Sequence, residues 1–266
     1  MFLNHLPHMD LKKVLKRSLF VLLAFGISKA AAQTPPAPSA DISSLADLAK
    51  IRALMANKSV PIIWVFTGDS ITHGARHTHG ERSYHEHFAE RVRWELDRRR
   101  DAVINTGISG DTADGILKDF DHRIARFKPE VVSLMIGMND CTRGPEKRVQ
   151  FESNLRELVH RIRGVGAVPI LHTTNPIDNT RESKRNDLPA YNEIITKVAQ
   201  SERVVLVDHW SYWRHETASL KEWLNDPIHP NARGHREFAR LLFRTLDIYD
   251  EKSPTCQPVD LTAHPK

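Results

Sequence analysis

Five short apolar runs recur along the chain, at Pro61 to Phe66, Ala102 to Asn105, Val131 to Ile136, Val168 to Leu171 and Val204 to Val207. Runs of four to six residues without alternation suit strands buried on both faces, the condition of a parallel sheet covered on each side by helices. The segments between them supply those helices. Apolar residues fall at helical spacing at Leu45, Leu48, Ile51, Leu54 and Met55, and again at Phe88, Val92 and Leu96 within Tyr84 to Arg98. The pattern returns at Ile116, Phe120, Ile124 and Phe127 before Pro129, and at Phe151, Leu155, Leu158, Val159 and Ile162. Further helices are expected around Tyr191 to Val198 and from about Asn231 to Leu246, the last turning Phe238, Leu241, Leu242 and Thr245 inward. Such alternation predicts an α/β fold with a parallel sheet between helical layers, and places any ligand crevice at the carboxyl ends of the strands.

The chemistry-bearing residues sit where that rule puts a site. The first run stops at Gly68-Asp69-Ser70, so a serine is presented on the turn. Asn105 to Thr112, containing Gly107 and Gly110, closes the second run, and Gly137-Met138-Asn139-Asp140 closes the third. Near the C-terminus stands Asp226-Pro227-Ile228-His229. A serine hydroxyl is a poor nucleophile unless a base takes its proton, and His229 is the candidate base. Asp226 precedes it by three residues across a proline, a turn short enough to bring the carboxylate to Nδ1 and fix the tautomer.

Each piece is weak alone, since Gly-Asp-Ser is a common turn and Asp-Pro usually starts one. In this order, over roughly residues 60 to 245, they resemble the four blocks of the SGNH hydrolases, or GDSL esterases, with Ile71 where the family name has Leu. The resemblance implies a three-layer α/β/α sandwich on a flavodoxin-like five-stranded parallel sheet. It implies Ser70, Asp226 and His229 as the catalytic residues. It also implies an oxyanion hole made by the backbone N–H groups of Ser70 and Gly110 and the side-chain amide of Asn139, where preorganised donors meet the developing charge. Asp69 and Asp140 are expected to accept backbone N–H bonds rather than point into the site. His235 is expected to be structural. His73, His77, His79, His85 and His87 form a histidine-rich stretch with no recognisable ligand spacing, so neither a metal nor another cofactor is expected.

The activity expected is hydrolysis of carboxylic esters through an acyl-enzyme on Ser70. The loop from Thr72 to Arg82 is almost wholly polar, which favours short acyl groups such as acetyl on a saccharide. Trp210, Tyr212, Trp213 and Trp223 offer a possible face for a sugar ring. The alternatives are a lysophospholipase or thioesterase acting on longer acyl chains and, in another class, a non-catalytic ligand-binding protein on the same scaffold.

Residues 1–32 read as a signal peptide: Lys12, Lys13, Lys16 and Arg17, the apolar run Leu19 to Ile27, then Ala30-Ala31-Ala32. Met9 begins a tighter version of the same signal. The apolar run is too short to span a bilayer, and no Cys follows it to take a lipid, so a periplasmic or secreted protein without a stable membrane anchor is expected. Removing residues 1–32 takes away five positive charges and one negative one, so the net charge falls from +5 to +1. Arg98-Arg99-Arg100 is expected to be the solvated end of a helix, and no nucleic-acid partner is expected. A Pro-rich linker, 33–40, precedes a domain at 41–248, and a tail of little structure follows at 249–266. The two cysteines, Cys141 and Cys256, raise a disulfide as a possibility in an exported chain.

Overall fold

A computed structural model of the chain describes residues 45–74, 76–217 and 219–258; the expected signal peptide and linker lie outside the described residues. The chain opens with α1 (Leu45–Ala56), β1 (Ile63–Gly68), the single turn α2 (Ser70–His73) and α3 (Tyr84–Glu90), which widens into a π-helical turn over Arg91–Glu95. There follow β2 (Ala102–Asn105), α4 (Ala113–Lys118), α5 (Phe120–Arg123), β3 (Val131–Met135), α6 (Arg148–Gly164) and β4 (Val168–His172). The last elements are α7 (Leu188–Glu202), β5 (Val205–Val207), α8 (His209–Glu216) and α9 (Ala232–Thr245). All strand pairs are parallel and the order is β2-β1-β3-β4-β5, the flavodoxin-like arrangement expected. Among the described residues, no helix is long and apolar enough to cross a membrane.

Burial explains the strand sequences. β3 and β4 are buried at every position, which is why they read as unbroken apolar runs, whereas the edge strand β2 is half-buried throughout. In β1, Trp64 and Phe66 meet the Phe88 ring at 4.8 and 5.1 Å between centroids, fixing α3 on the sheet. Gly68 ends the strand because nothing larger fits: a Cβ there would stand 2.2 Å from the Met135 carbonyl oxygen of β3.

Four expectations are corrected. The helical spacing from Ile116 to Phe127 gives no continuous helix but α4, α5 and a 3₁₀ turn at Ala125–Phe127, because Asp119 and Ile124 leave helical backbone angles. The apolar face survives the breaks, with Ile116, Phe120 and Ile124 buried. Arg98 is not solvated. It is buried, bonding Asp101 through Nε at 2.8 Å and the carbonyls of Met55 and Val60 at 2.7 and 2.9 Å, so it ties α1 to the start of the sheet.

The segment after 248 is not loose through its described part: Ser253 and Thr255 are buried on Arg91 and Glu95, and Arg236 donates to the Pro254 carbonyl at 3.0 Å. Its polar composition concealed these partners. Finally, Cys141 and Cys256 are both free and buried; Cys141 Sγ lies 3.2 Å from the Met138 carbonyl and Cys256 Sγ accepts from the Asp250 amide.

Among the described residues, five histidines are buried as neutral rings. Burial lowers His85 to about 4, His87 to about 2, and His172 and His235 each to about 3, and it takes His209 well below 6.5. The unfolded chain takes up these protons near pH 6.5, so it binds more protons than the fold below that pH. Their contribution is therefore complete above pH 6.5 and is lost as pH falls toward the lowered values. Asp69 and Asp140, raised by burial to about 7 and about 6, act in the opposite sense but are fewer. The melting temperature should drop by at least about 5 °C between pH 7 and pH 5. A flat or rising melting temperature over that interval, read by circular dichroism, would show that the five rings are not held neutral.

Candidate active site

At the carboxyl end of β1 the chain turns into α2 with Asp69 as its N-cap, its Oδ1 accepting from the Ile71 amide at 2.9 Å. Ser70 is thereby the first residue of a helix, 8% exposed, with its Oγ 2.9 Å from His229 Nε2. His229 comes from the segment before α9. There Asp226 Oδ1 accepts the amides of Ile228 and His229, both at 2.8 Å, and its two oxygens lie 3.0 and 2.8 Å from His229 Nδ1. The turn is closed by the Asn225 amide on the His229 carbonyl at 2.8 Å and held from the segment after β4 by Asn175, whose Nδ2 donates to Ile228 O at 2.9 Å. Burial alone would raise Asp226, but the two amides and the imidazole outweigh it and hold its carboxyl below the usual range. An ionised carboxylate can only accept, so Nδ1 carries the proton and Nε2 offers its lone pair to the serine.

The other side of the crevice is built from the ends of β2 and β3. Gly110 has φ +84°, with open space where a Cβ would be, and its amide has no acceptor among the described residues. Asn139 donates from Nδ2 to the Asp111 carbonyl at 2.9 Å, leaving its second N–H free of that bond. Asp140 Oδ1 accepts from the Ala113 amide at 3.0 Å, so Asp69 and Asp140 both brace backbone, as expected. Each has one buried oxygen without a partner, in keeping with the upward shift that burial gives both.

Two arginines that sequence reasoning missed hold this side together. Arg185, from the loop before α7, donates to Asn139 Oδ1 at 3.1 Å and to the Met138 carbonyl at 3.0 Å, which fixes which way the Asn139 amide faces. Arg123 is buried beneath the site. It donates to the carbonyls of Thr106 at 3.0 Å and Gly68 at 2.8 Å, to Thr67 Oγ1 at 3.1 Å, and to the Asp111 carboxylate. No local signal marked Arg123, which stands among apolar helical positions like any surface arginine.

The histidine-rich stretch does not gather. His85 and His87 are core residues, His73 bonds Ser109 at 3.0 Å, and His79 bonds Asn225 at 2.7 Å. His77 alone enters the site: its ring stacks on that of His229 at 3.6 Å and 5°, with Nδ1 3.3 Å from Asp226 Oδ2. His235 is buried, accepting from the Tyr84 amide at 3.3 Å, a structural place as expected. Part of the aromatic group is another correction, because Trp213 is fully buried, and Trp223 packs on it and on Tyr212, whose hydroxyl donates to Glu237 of α9. A hydroxyl so aligned on an imidazole, beside free N–H groups, is equipped to attack a carbonyl carbon.

The profile of the GDSL-like Lipase/Acylhydrolase family matches residues 66–237. An acetylxylan esterase of Geobacillus stearothermophilus is 29% identical over 207 residues, covering 68% of this chain and 92% of that protein. Thioesterase 1/protease 1/lysophospholipase L1 of Escherichia coli K12 is 28% identical, over 49% of this chain and 60% of that protein. Among solved structures, an α/β hydrolase from the metagenome of Lake Arreo, Spain, superposes with a TM-score of 0.61 at 25% identity, over 71% of this chain and 96% of that one.

Replacing Arg123 by Met should cost about 3–5 kcal/mol of unfolding free energy, because it strands buried carbonyls and the Asp111 carboxylate at once. Urea denaturation of the variant checks this. A loss below about 1 kcal/mol would mean the guanidinium is not what holds the strand ends.

Proposed function

This chain belongs to the GDSL-like lipase/acylhydrolase family and is a carboxylic ester hydrolase, and from that premise we propose that it removes short acyl groups, acetyl above all, from a saccharide through an acyl-enzyme on Ser70. The observation that carries the mechanism is the unbroken series of contacts from Ser70 Oγ through the His229 ring to the Asp226 carboxylate. Ser70 Oγ attacks the ester carbonyl carbon as its proton passes to His229 Nε2. Asp226 keeps the ring oriented and stabilises the imidazolium. The carbonyl oxygen becomes an anion among the Ser70 and Gly110 amides and the free N–H of Asn139, which Arg185 holds in place. Collapse of the intermediate breaks the bond to the alcohol, which takes the proton from His229. Water, activated by the same base, then releases the acid.

Three features support the short-acyl, saccharide reading. The Thr72 to Arg82 loop is polar and brings His77 and His79 over the Asp226 turn. A cleft of about 660 Å³ lined by residues 177–181, 219–221 and 224–226 includes Asp226 in its wall, with Asp178, Asn179, Thr180 and Arg181 to meet hydroxyls. The resemblance to an acetylxylan esterase spans nearly all of that relative. The long-chain reading rests on the thioesterase/lysophospholipase, which this chain matches over a shorter stretch.

On p-nitrophenyl esters, kcat/KM for the acetate should exceed that for the octanoate by about tenfold, and Ser70→Ala should lower it by about 10⁴-fold while the protein stays folded. Octanoate above acetate would hand the assignment to the long-chain reading. A Ser70→Ala variant keeping a tenth of the activity would remove Ser70 as the nucleophile.

Export through residues 1–32 belongs to the same proposal, supported by the basic, apolar and small-residue order of that segment. N-terminal sequencing of protein expressed in its full length and recovered from a periplasmic or medium fraction should begin at Gln33. Recovery only from cytoplasm, with Met1 or Met9 retained, is the contrary result.

A further inference from the structure

The His77 contact has no part in the mechanism above, and its atoms are those of a metal-binding group. We propose that His77, Asp226 and His229 form a site for a divalent transition-metal ion such as Zn²⁺, and that its occupancy reversibly disables the general base. Among the described residues, this is the cluster in which three His, Cys, Asp or Glu ligand atoms lie within 4.8 Å of one another. Two imidazoles and a carboxylate suit zinc, nickel or copper better than the hard cations magnesium and calcium. The donors are also reachable, since the side chains of His77 and His229 are each 17% exposed and that of Asp226 is 34% exposed.

The geometry is close to what coordination needs. The Nδ1 atoms of His77 and His229 stand 3.3 and 2.8 Å from the same oxygen, Asp226 Oδ2. Zinc–ligand bonds of about 2.0–2.2 Å in tetrahedral array set neighbouring donors roughly 3.3 Å apart, so shifts of a few tenths of an ångström suffice at the carboxylate. The parallel rings must open so that the two lone pairs converge. His77 is the ring to tilt, because its polar contact is the one to Asp226, whereas His229 is held at both nitrogens by Ser70 and Asp226. Arg76, His79 and His235 also lie near the pair, and Arg76 opposes a further positive charge. The site should therefore bind moderately rather than tightly.

What such an ion does to the base follows from proton bookkeeping. In the resting site Nδ1 of His229 holds the proton and Nε2 accepts from Ser70. A metal ion on Nδ1 takes that lone-pair position, and the neutral ring must then carry its proton on Nε2. An Nε2–H facing Ser70 Oγ donates and can no longer accept, so the serine loses its base without any change in the net charge of the imidazole. Asp226 is drawn to the ion at the same time and stops orienting the ring.

The inhibitory half rests on the proposed role of His229, whereas the binding half does not, and one pair of measurements separates them. Metal-free protein is titrated with Zn²⁺ by calorimetry and, in parallel, assayed on p-nitrophenyl acetate. One equivalent should bind, hydrolysis should fall in step, and EDTA should restore it. His77→Phe keeps a flat ring over His229 but has no ligand atom, and it should weaken both binding and inhibition by about tenfold or more. His77→Gln serves the same purpose should the phenyl ring disturb the loop, with thermal melting as the check on folding. Zinc binding that depends on His77 in a protein with no esterase activity would leave the site standing and sink the mechanism. Equal zinc affinity in wild type and both His77 variants, or no binding at all, would overturn the site.

Discussion

Where parallel strands end, the last carbonyls lose their ladder partners, and where those ends are roofed by loops rather than water they must find donors or the ends splay. Here the demand is met from below by Arg123. Its guanidinium takes the Gly68 carbonyl at the end of β1, the Thr106 carbonyl just beyond β2 and the Asp111 carboxylate in the following loop. The Ile108 amide also donates to the Gly68 carbonyl, at 3.0 Å, so the strand end before the serine and the loop that carries Gly110 share one acceptor. The relative placement of Ser70 and the loop that carries Gly110 is thus set by a side chain that bonds to neither residue. A lysine, with a point charge in place of a planar fork, has no means of engaging these acceptors together.

Electrostatics divide the crevice into unlike halves. On the His229 side, one carboxylate is held ionised by backbone amides, which keeps the imidazole in the tautomer that accepts from Ser70. Next to Ser70 and Asn139 in the chain, the buried carboxyls Asp69 and Asp140 are pushed toward neutrality by burial. That arrangement suits a place where negative charge develops, since fixed anions beneath an oxyanion would oppose it. Arg185 adds positive charge there while orienting Asn139. The ester hydrolase chemistry of the family is consistent with this division.

The loop after α2 shows how a surface segment can acquire a place in the site. Its composition is polar and its backbone takes positive φ at Arg76, His79 and Gly80, a path that lays it over the Asp226 turn. Two histidines separated by one residue then do different things: His79 anchors, and His77 caps the His229 ring. The side chains at this edge of the site, His77, Asp226 and His229, all keep part of their surface exposed.

Several features were decided by the sequence alone. The apolar runs that became β3 and β4, without alternation along their length, call for burial on both faces, and a helix-covered parallel sheet supplies it. Ser70, Gly110 and Asn139 could be placed at one rim because each follows a strand end, and the contact between Asp226 and His229 could be expected because three residues across a proline make a short turn. Tertiary structure decided whatever depends on partners far along the chain. Arg98 and Arg123 look like solvated arginines until the sheet closes over them, and the 253–256 segment looks loose until Arg91 and Glu95 are beside it. Trp213 offered a sugar platform in sequence, yet it packs on Phe238 at 5.0 Å. His77 was one histidine of five, and only the fold puts its ring 3.6 Å from His229, because a stacking distance across distant segments is set by how strands and loops converge in space and leaves no trace in local pattern.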